Sequence, residues 1–228
     1  MSPTLNICQA ALTAGVGRMI QVSSSEVYGT ARYVPIDETH PLQAQSPYSA
    51  TKIGADAIAT SFHRSFGLPV VIARPFNTYG PRQSARAVIP TIISQIAGGK
   101  QSIELGEIET TRDFTFVEDT ARGMLAIAEM DAGAGDAFNI GSNSEISISN
   151  LFRIIAELMD SPATIAQSEA RKRPENSEVF RLWCNHEKLA AAAGFRPQTT
   201  LRDGLTRTIE WFRRPENLRR YKTGIYNV

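Results

Sequence analysis

Tyr48 and Lys52 stand one helical turn apart, a spacing that puts both side chains on one face with Cβ atoms roughly 5 to 6 Å apart. Such a pair acts on a single hydroxyl group. Tyrosine alone is a poor base near neutral pH, and an ammonium beside it favours the phenolate. The turn carries little weight by itself, because chance supplies roughly 0.13 such pairs in a chain of this length and composition. Its neighbourhood adds more. Ser23-Ser24-Ser25-Glu26-Val27-Tyr28-Gly29 follows the apolar run Met19-Ile20-Gln21-Val22 and brings hydroxyls and a carboxylate to the end of a strand. There Ser24 can hydrogen-bond a substrate hydroxyl while Tyr48 takes its proton, and Glu26 can remove or return a proton beside it.

These groups need a scaffold that sets a strand end against a helix. Leu5, Cys8 and Leu12 mark one face of a helix that stops at Gly15 and Gly17, and the strand through Val22 follows. Ser46-Pro47 supplies a cap with proline at the first helical position. Ile58, Phe62 and Phe66 carry that helix to Gly67, and Pro69-Val70-Val71-Ile72-Ala73 reads as a strand buried on both faces. This alternation is that of a doubly wound α/β sheet, whose ligands lie beyond the carboxyl ends of its strands. Past Gly80-Pro81 the pattern is mixed: helix over 88–97, strand over 114–116, helix over 117–130, strand over 138–140. Two amphipathic helices follow, one through Leu151, Ile154, Ile155, Leu158 and Met159 capped by Ser149, the other through Leu201, Leu205, Ile209 and Phe212 capped by Thr200. The basic stretch from Arg213 to Lys222 reads as a solvated end.

With 24 basic and 23 acidic residues in 228, the chain has no charge excess to hold nucleic acid or an anionic membrane, and a small molecule is the expected partner. No run approaches the roughly 18 apolar residues that cross a bilayer. Cys8 and Cys184 lie far apart without metal-ligand spacing, which points to a reduced cytoplasmic setting. His40, His63 and His186 share no such spacing either, so no metal site is expected.

Five segments together resemble one family: Ser24-Ser25-Glu26-Val27-Tyr28-Gly29, Pro47-Tyr48-Ser49-Ala50-Thr51-Lys52, Arg74-Pro75-Phe76-Asn77-Thr78-Tyr79-Gly80-Pro81-Arg82, Arg112-Asp113-Phe114-Thr115-Phe116-Val117 and Asn139-Ile140-Gly141. The family is the extended short-chain dehydrogenase/reductases, the NAD-dependent nucleotide-sugar epimerases and dehydratases. Ser46-Pro47-Tyr48 and Gln83-Ser84-Ala85-Arg86-Ala87-Val88-Ile89-Pro90 resemble most its 4,6-dehydratases of the legionaminic-acid type. The resemblance implies NAD as cofactor, contacted by Ser23, Tyr48 and Lys52, with Lys52 holding the nicotinamide ribose. It implies that Tyr48, helped by Ser24, deprotonates the sugar C4 hydroxyl as hydride leaves for NAD. Glu26 then takes the acidified C5 proton as water leaves from C6, and hydride returns to C6. Ser25 stands where some dehydratases carry an aspartate and others a serine, which leaves the proton donor to the departing hydroxyl open. Ser25, Asn77, Arg82, Arg112 and Arg173 are implied as contacts of a UDP- or GDP-linked hexose, with Arg86 and Glu178 as further candidates. A homodimer through the helix bearing Tyr48, around Gly54 and Ile58, is implied as well, although an intramolecular core contact reads equally well there.

A chain of this family is expected to open with a strand, a Gly-rich turn and a helix whose N-terminus holds the pyrophosphate, and nothing of that kind precedes Tyr48. The expectation is therefore the C-terminal part of a doubly wound Rossmann-like parallel sheet plus a smaller mixed α/β substrate-binding domain. Residues 1–80 form the partial NAD-binding part. Residues 81–228 mainly bind the nucleotide sugar, with 114–140 packing back on the sheet. The expected reaction is 4,6-dehydration, with the machinery for it incomplete in this chain by itself. A 4-epimerase, a UDP-glucuronate decarboxylase and a non-catalytic sugar-nucleotide-binding fragment stand as alternatives.

Overall fold

The computed structural model describes residues 3–171 and 178–221. The first half runs α1 (Pro3–Ala14), β1 (Met19–Val22), a 3-10 turn (Ser25–Tyr28), α2 (Pro47–Phe66), β2 (Val70–Pro75), β3 (Asn77–Tyr79), α3 (Val88–Ala97), β4 (Ser102–Leu105), β5 (Thr111–Arg112) and β6 (Phe114–Phe116). The second runs α4 (Val117–Glu129), β7 (Ala137–Ile140), β8 (Ile146–Ser147), α5 (Ile148–Leu158), β9 (Thr164–Gln167), α6 (Glu187–Ala193), α7 (Leu201–Arg213) and α8 (Pro215–Leu218).

Local chemistry sets the ends of α2. The Ser46 hydroxyl accepts the Ser49 amide at 3.1 Å, the Ser49 hydroxyl accepts the Ser46 amide at 3.1 Å, and Pro47 needs no partner at the first position. Gly67 ends the helix at φ 70. Strands β1, β2 and β7 form a parallel sheet in that order, with Val22 beside Ala73 and Ala73 beside Phe138. Side chains alternate across β2. Val70 joins Cys8, Ala59 and Phe62 beneath α1 and α2, while Val71 and Ala73 join Ile127, Phe138 and Ile140 on the opposite face, beneath α4. Helices thus cover both faces, the doubly wound α/β arrangement that the alternation predicts. The outer edge of β1 has no partner strand among the described residues, and Val22 there is 46% exposed.

The mixed region builds its own core from Ile89, Ile92 and Ile93 of α3, Leu151 and Ile155 of α5, and Leu205, Ile209 and Phe212 of α7. Three two-stranded pairings border it: β3 with β6 and β4 with β9, both parallel, and β5 with β8, antiparallel. Two expectations need correction. Ser147, not Ser149, caps α5: Ile146 pairs with Arg112, so the strand runs to Ser147, whose hydroxyl accepts the Asn150 amide at 3.2 Å. Ser149 lies inside the first turn with its hydroxyl 3.0 Å from that of Ser147. The basic end is not simply solvated. Asn217 is buried and donates to the Trp211 carbonyl at 2.8 Å, and Tyr221 packs on Phe212 and donates to the Gln83 carbonyl at 2.8 Å. No described helix is long and apolar enough to cross a membrane.

Candidate active site

The serine-rich segment turns sharply as it leaves β1. Ser24 adopts extended backbone and its hydroxyl oxygen accepts the Glu26 amide at 3.2 Å, which starts the 3-10 turn and leaves the Ser24 proton to be donated elsewhere. Gly29 ends that turn at φ 64, where any Cβ would stand 2.8 Å from the Gln43 carbonyl oxygen. Lys52 reaches across from α2 and donates to the Val22 carbonyl at 3.1 Å, with its Nζ 5.7 Å from the centre of the Tyr48 ring. Tyr48 is 51% exposed.

Tyr28, the other tyrosine nearby, has a different role. It is fully buried, donates to Asn139 Oδ1 at 2.7 Å and accepts from Arg74 at 3.1 Å. Burial pushes its phenol well above the ordinary tyrosine value, with Arg74 working against that shift. Tyr28 is held as a neutral hydrogen-bonding strut, which leaves Tyr48 as the accessible phenol.

Below this corner lies a cavity of about 350 Å³, within the range of small-molecule sites. Glu26 enters it from the turn, Asn77 from the start of β3, Gln83 from the loop after it, Arg86 from the segment before α3, and Arg112 and Glu178 from the far side. Arg112 donates to Glu178 at 3.0 Å and to the Thr111 carbonyl at 2.8 Å, so its guanidinium is fixed in place. Asn77 Oδ1 and Gln83 Oε1 are buried acceptors that find no donor among the described residues. The Gln83 amide nitrogen already donates to the Thr78 carbonyl at 2.8 Å, which fixes that orientation. A ligand with hydroxyl or N–H groups would satisfy both oxygens.

The structure thus brings Glu26, Asn77 and Arg112 into one cavity, together with the candidates Arg86 and Glu178. Ser24, Tyr48 and Lys52 gather at the end of β1 and are not part of the cavity wall. Ser23 and Ser25 are both buried, and the Ser23 hydroxyl is taken up by Asp56 at 2.8 Å. Arg82 is exposed, with φ 68, and does not line the cavity. Arg173 lies outside the described residues. Gln83 and Arg171 line the cavity without having been singled out as contacts, although Gln83 follows Pro81-Arg82 and Arg171 opens the basic run to Arg173. Gly15 and Gly17 lie between α1 and β1, and Gly133 and Gly135 between α4 and β7. Among the described residues, neither pair leads from a strand into a helix.

The chain matches the family model described as GDP-mannose 4,6 dehydratase over residues 1–208. It is 34% identical over 207 residues to a dTDP-glucose 4,6-dehydratase of Actinoplanes sp., an alignment covering 91% of this chain and 63% of that protein. A dTDP-glucose 4,6-dehydratase from Streptomyces venezuelae, solved with NAD bound, superposes with a TM-score of 0.86 at 31% identity, covering 96% of this chain and 66% of the other. A UDP-glucuronic acid 4-epimerase from Bacillus cereus, solved with UDP-glucuronic acid and NAD, superposes with a TM-score of 0.85 at 27% identity, covering 91% of this chain and 65% of the other. The chain spans a little over three fifths of the length of the curated relatives it matches. Sequence match and superposition agree over nearly all of the chain, and it belongs to the GDP-mannose 4,6-dehydratase family, among the extended short-chain dehydrogenase/reductases that act as nucleotide-sugar dehydratases and epimerases.

Proposed function

We propose that the chain carries the substrate side of an NAD-dependent nucleotide-sugar 4,6-dehydratase and that its cavity receives the nucleoside diphosphate of a hexose. The observation that carries this reading is the position of Glu26: it shares one short turn with Ser24 and lines the same cavity as Asn77 and Arg112. A 4-epimerase needs only the C4 hydroxyl group handled; a carboxylate aimed at the same sugar suits removal of a carbon-bound proton.

Tyr48 and Lys52 fit a ribose diol, since a half-exposed phenol and an ammonium fixed to the Val22 carbonyl stand together at the end of β1. Those two residues would hold the nicotinamide ribose of NAD, which when bound accepts hydride from C4 and returns it to C6. Ser24 donates a hydrogen bond to the C4 hydroxyl and Tyr48 takes its proton. Oxidation at C4 acidifies C5, and Glu26 removes that proton as hydroxide leaves C6, the two departing as water; once hydride has returned to C6, the proton that Tyr48 took from the C4 hydroxyl is returned to C5, so the sugar loses one water and both side chains recover their starting charge. Arg112, with Arg86 and Asn77, holds the diphosphate, where a guanidinium matches two oxygens at once. Roles for Ser25, Arg82 and Arg173 in the sugar-nucleotide contact belong to the same reading.

In this reading residues 1–80 form the cofactor side and 81–228 mainly the sugar-nucleotide side, supported by the packing of α4 and β7 on the β1-β2 sheet. A homodimer through α2 draws support from its outward row of Ala50, Gly54, Ala57 and Ser61, whereas Ile58 packs inward on the Cys8 cluster. Two separate buried thiols, Cys8 and Cys184, suit the cytoplasm.

Product analysis tests the function. The chain is incubated with NAD and dTDP-, UDP- and GDP-hexoses, and the sugar nucleotide is weighed by mass spectrometry. Loss of one water is the expected result. An isomer of equal mass would mean a 4-epimerase, loss of carbon dioxide from UDP-glucuronate a decarboxylase, and nucleotide binding without conversion a non-catalytic fragment.

A further inference from the structure

Asp56 follows Lys52 by one turn of α2, as Lys52 follows Tyr48, and is only 3% exposed. Its Oδ2 accepts from the Ser23 hydroxyl at 2.8 Å and pairs with Arg74 of β2 at 3.4 Å. Two successive turns of α2 are thereby fastened to two successive residues at the end of β1: Lys52 to the Val22 carbonyl, Asp56 to the Ser23 hydroxyl. Ser24 is the next residue along the chain. An apolar contact would hold a helix on a sheet more cheaply than a buried carboxylate, which must be desolvated, but it would not fix the register of one turn against one strand end.

We infer that Asp56 is a positioning residue, acting through Ser23 and Arg74 to set the Tyr48–Lys52 face of α2 against the turn that carries Ser24. The Ser23 side chain then serves this clasp and does not contact a cofactor. The inference rests on the reading of Tyr48 and Lys52 as the proton-handling pair.

The test uses the full chain with Ser23→Ala, which cuts the link yet keeps the Asp56–Arg74 pair that protects the fold, together with Asp56→Asn and Asp56→Glu. Trace acetylation read by mass spectrometry gives the reactivity of Lys52 relative to Lys100. Kinetics on the nucleotide hexose give kcat and KM. Ser23→Ala and Asp56→Asn should raise relative Lys52 reactivity at least threefold and lower kcat on the order of tenfold with KM within about twofold, and Asp56→Glu should restore both toward the native values. Unchanged Lys52 reactivity and kcat beside a lowered melting temperature would overturn the inference and leave Asp56 as a stability element. A Lys52 response in a chain that converts no nucleotide sugar would uphold the clasp while counting against the reaction.

Discussion

Tyr48→Phe should lower turnover of the nucleotide sugar by about 10³-fold while the affinity for nucleoside diphosphate stays within about twofold, because the substitution removes one transferable proton and leaves the cavity intact. The structure explains why the two effects separate. Tyr48 sits above the end of β1 beside Lys52, outside the wall formed by Asn77, Gln83, Arg86 and Arg112. Tyr28 cannot take over, since it is fully buried and engaged by Asn139 and Arg74. The check is kcat from product formation beside calorimetric titration with the nucleoside diphosphate. Unchanged turnover would move the proton transfer away from Tyr48.

Asp113→Ala should destabilise the chain by about 3–5 kcal/mol, a fall in melting temperature on the order of 10 °C. Asp113 has no exposed surface. Its Oδ1 accepts from the Ser142 amide and hydroxyl, each at 2.7 Å, and its Oδ2 from the Ser144 and Cys184 amides, each at 3.2 Å. Burial works to raise this carboxyl, and those donors work against it. Removing it strands three backbone N–H groups and unties β6 from the loop after β7 and from the segment at Cys184, whose side chain lies so close to Gly141 that a Cβ there would collide with it. Because Arg112 precedes Asp113, nucleotide affinity should weaken as well. Thermal and urea unfolding followed by circular dichroism measure the loss; a melting temperature within a degree or two of the native one would show that water replaces the carboxylate without cost.

What the sequence disclosed follows from the range of the interactions. The ends of α2 were legible because Ser46, Pro47, Ser49 and Gly67 act within one turn. The grouping of these side chains near the end of β1 was legible because Tyr48 and Lys52 are neighbours on one helix and Ser24 and Glu26 on one turn. The place of β7 beside β2 was only suggested, since it depends on pairing across 65 residues, as from Ile72 to Ala137. The engagement of Ser23 by Asp56, 33 residues on, and of Asp113 by the Cys184 amide, 71 residues on, left no local mark at all. In the basic stretch, charge masked packing: Arg213, Arg214, Arg219 and Arg220 suggested a solvated tail, yet Asn217 is tied to the Trp211 carbonyl and Tyr221 packs against the core. Ser149 was the cap expected from sequence, and only the pairing of Ile146 with Arg112 shows that Ser147 takes that place.

In the proposed reaction one site oxidises C4 of a nucleotide hexose and reduces C6 of the same molecule. It is tested most directly by supplying the chain with NAD and a nucleotide hexose deuterated at C4 and locating the label by NMR. The expected result is a 4-keto-6-deoxy product carrying the deuterium in its C6 methyl group. Deuterium retained at C4 of an isomerised sugar, or an unchanged substrate that nevertheless binds in the cavity, would contradict it.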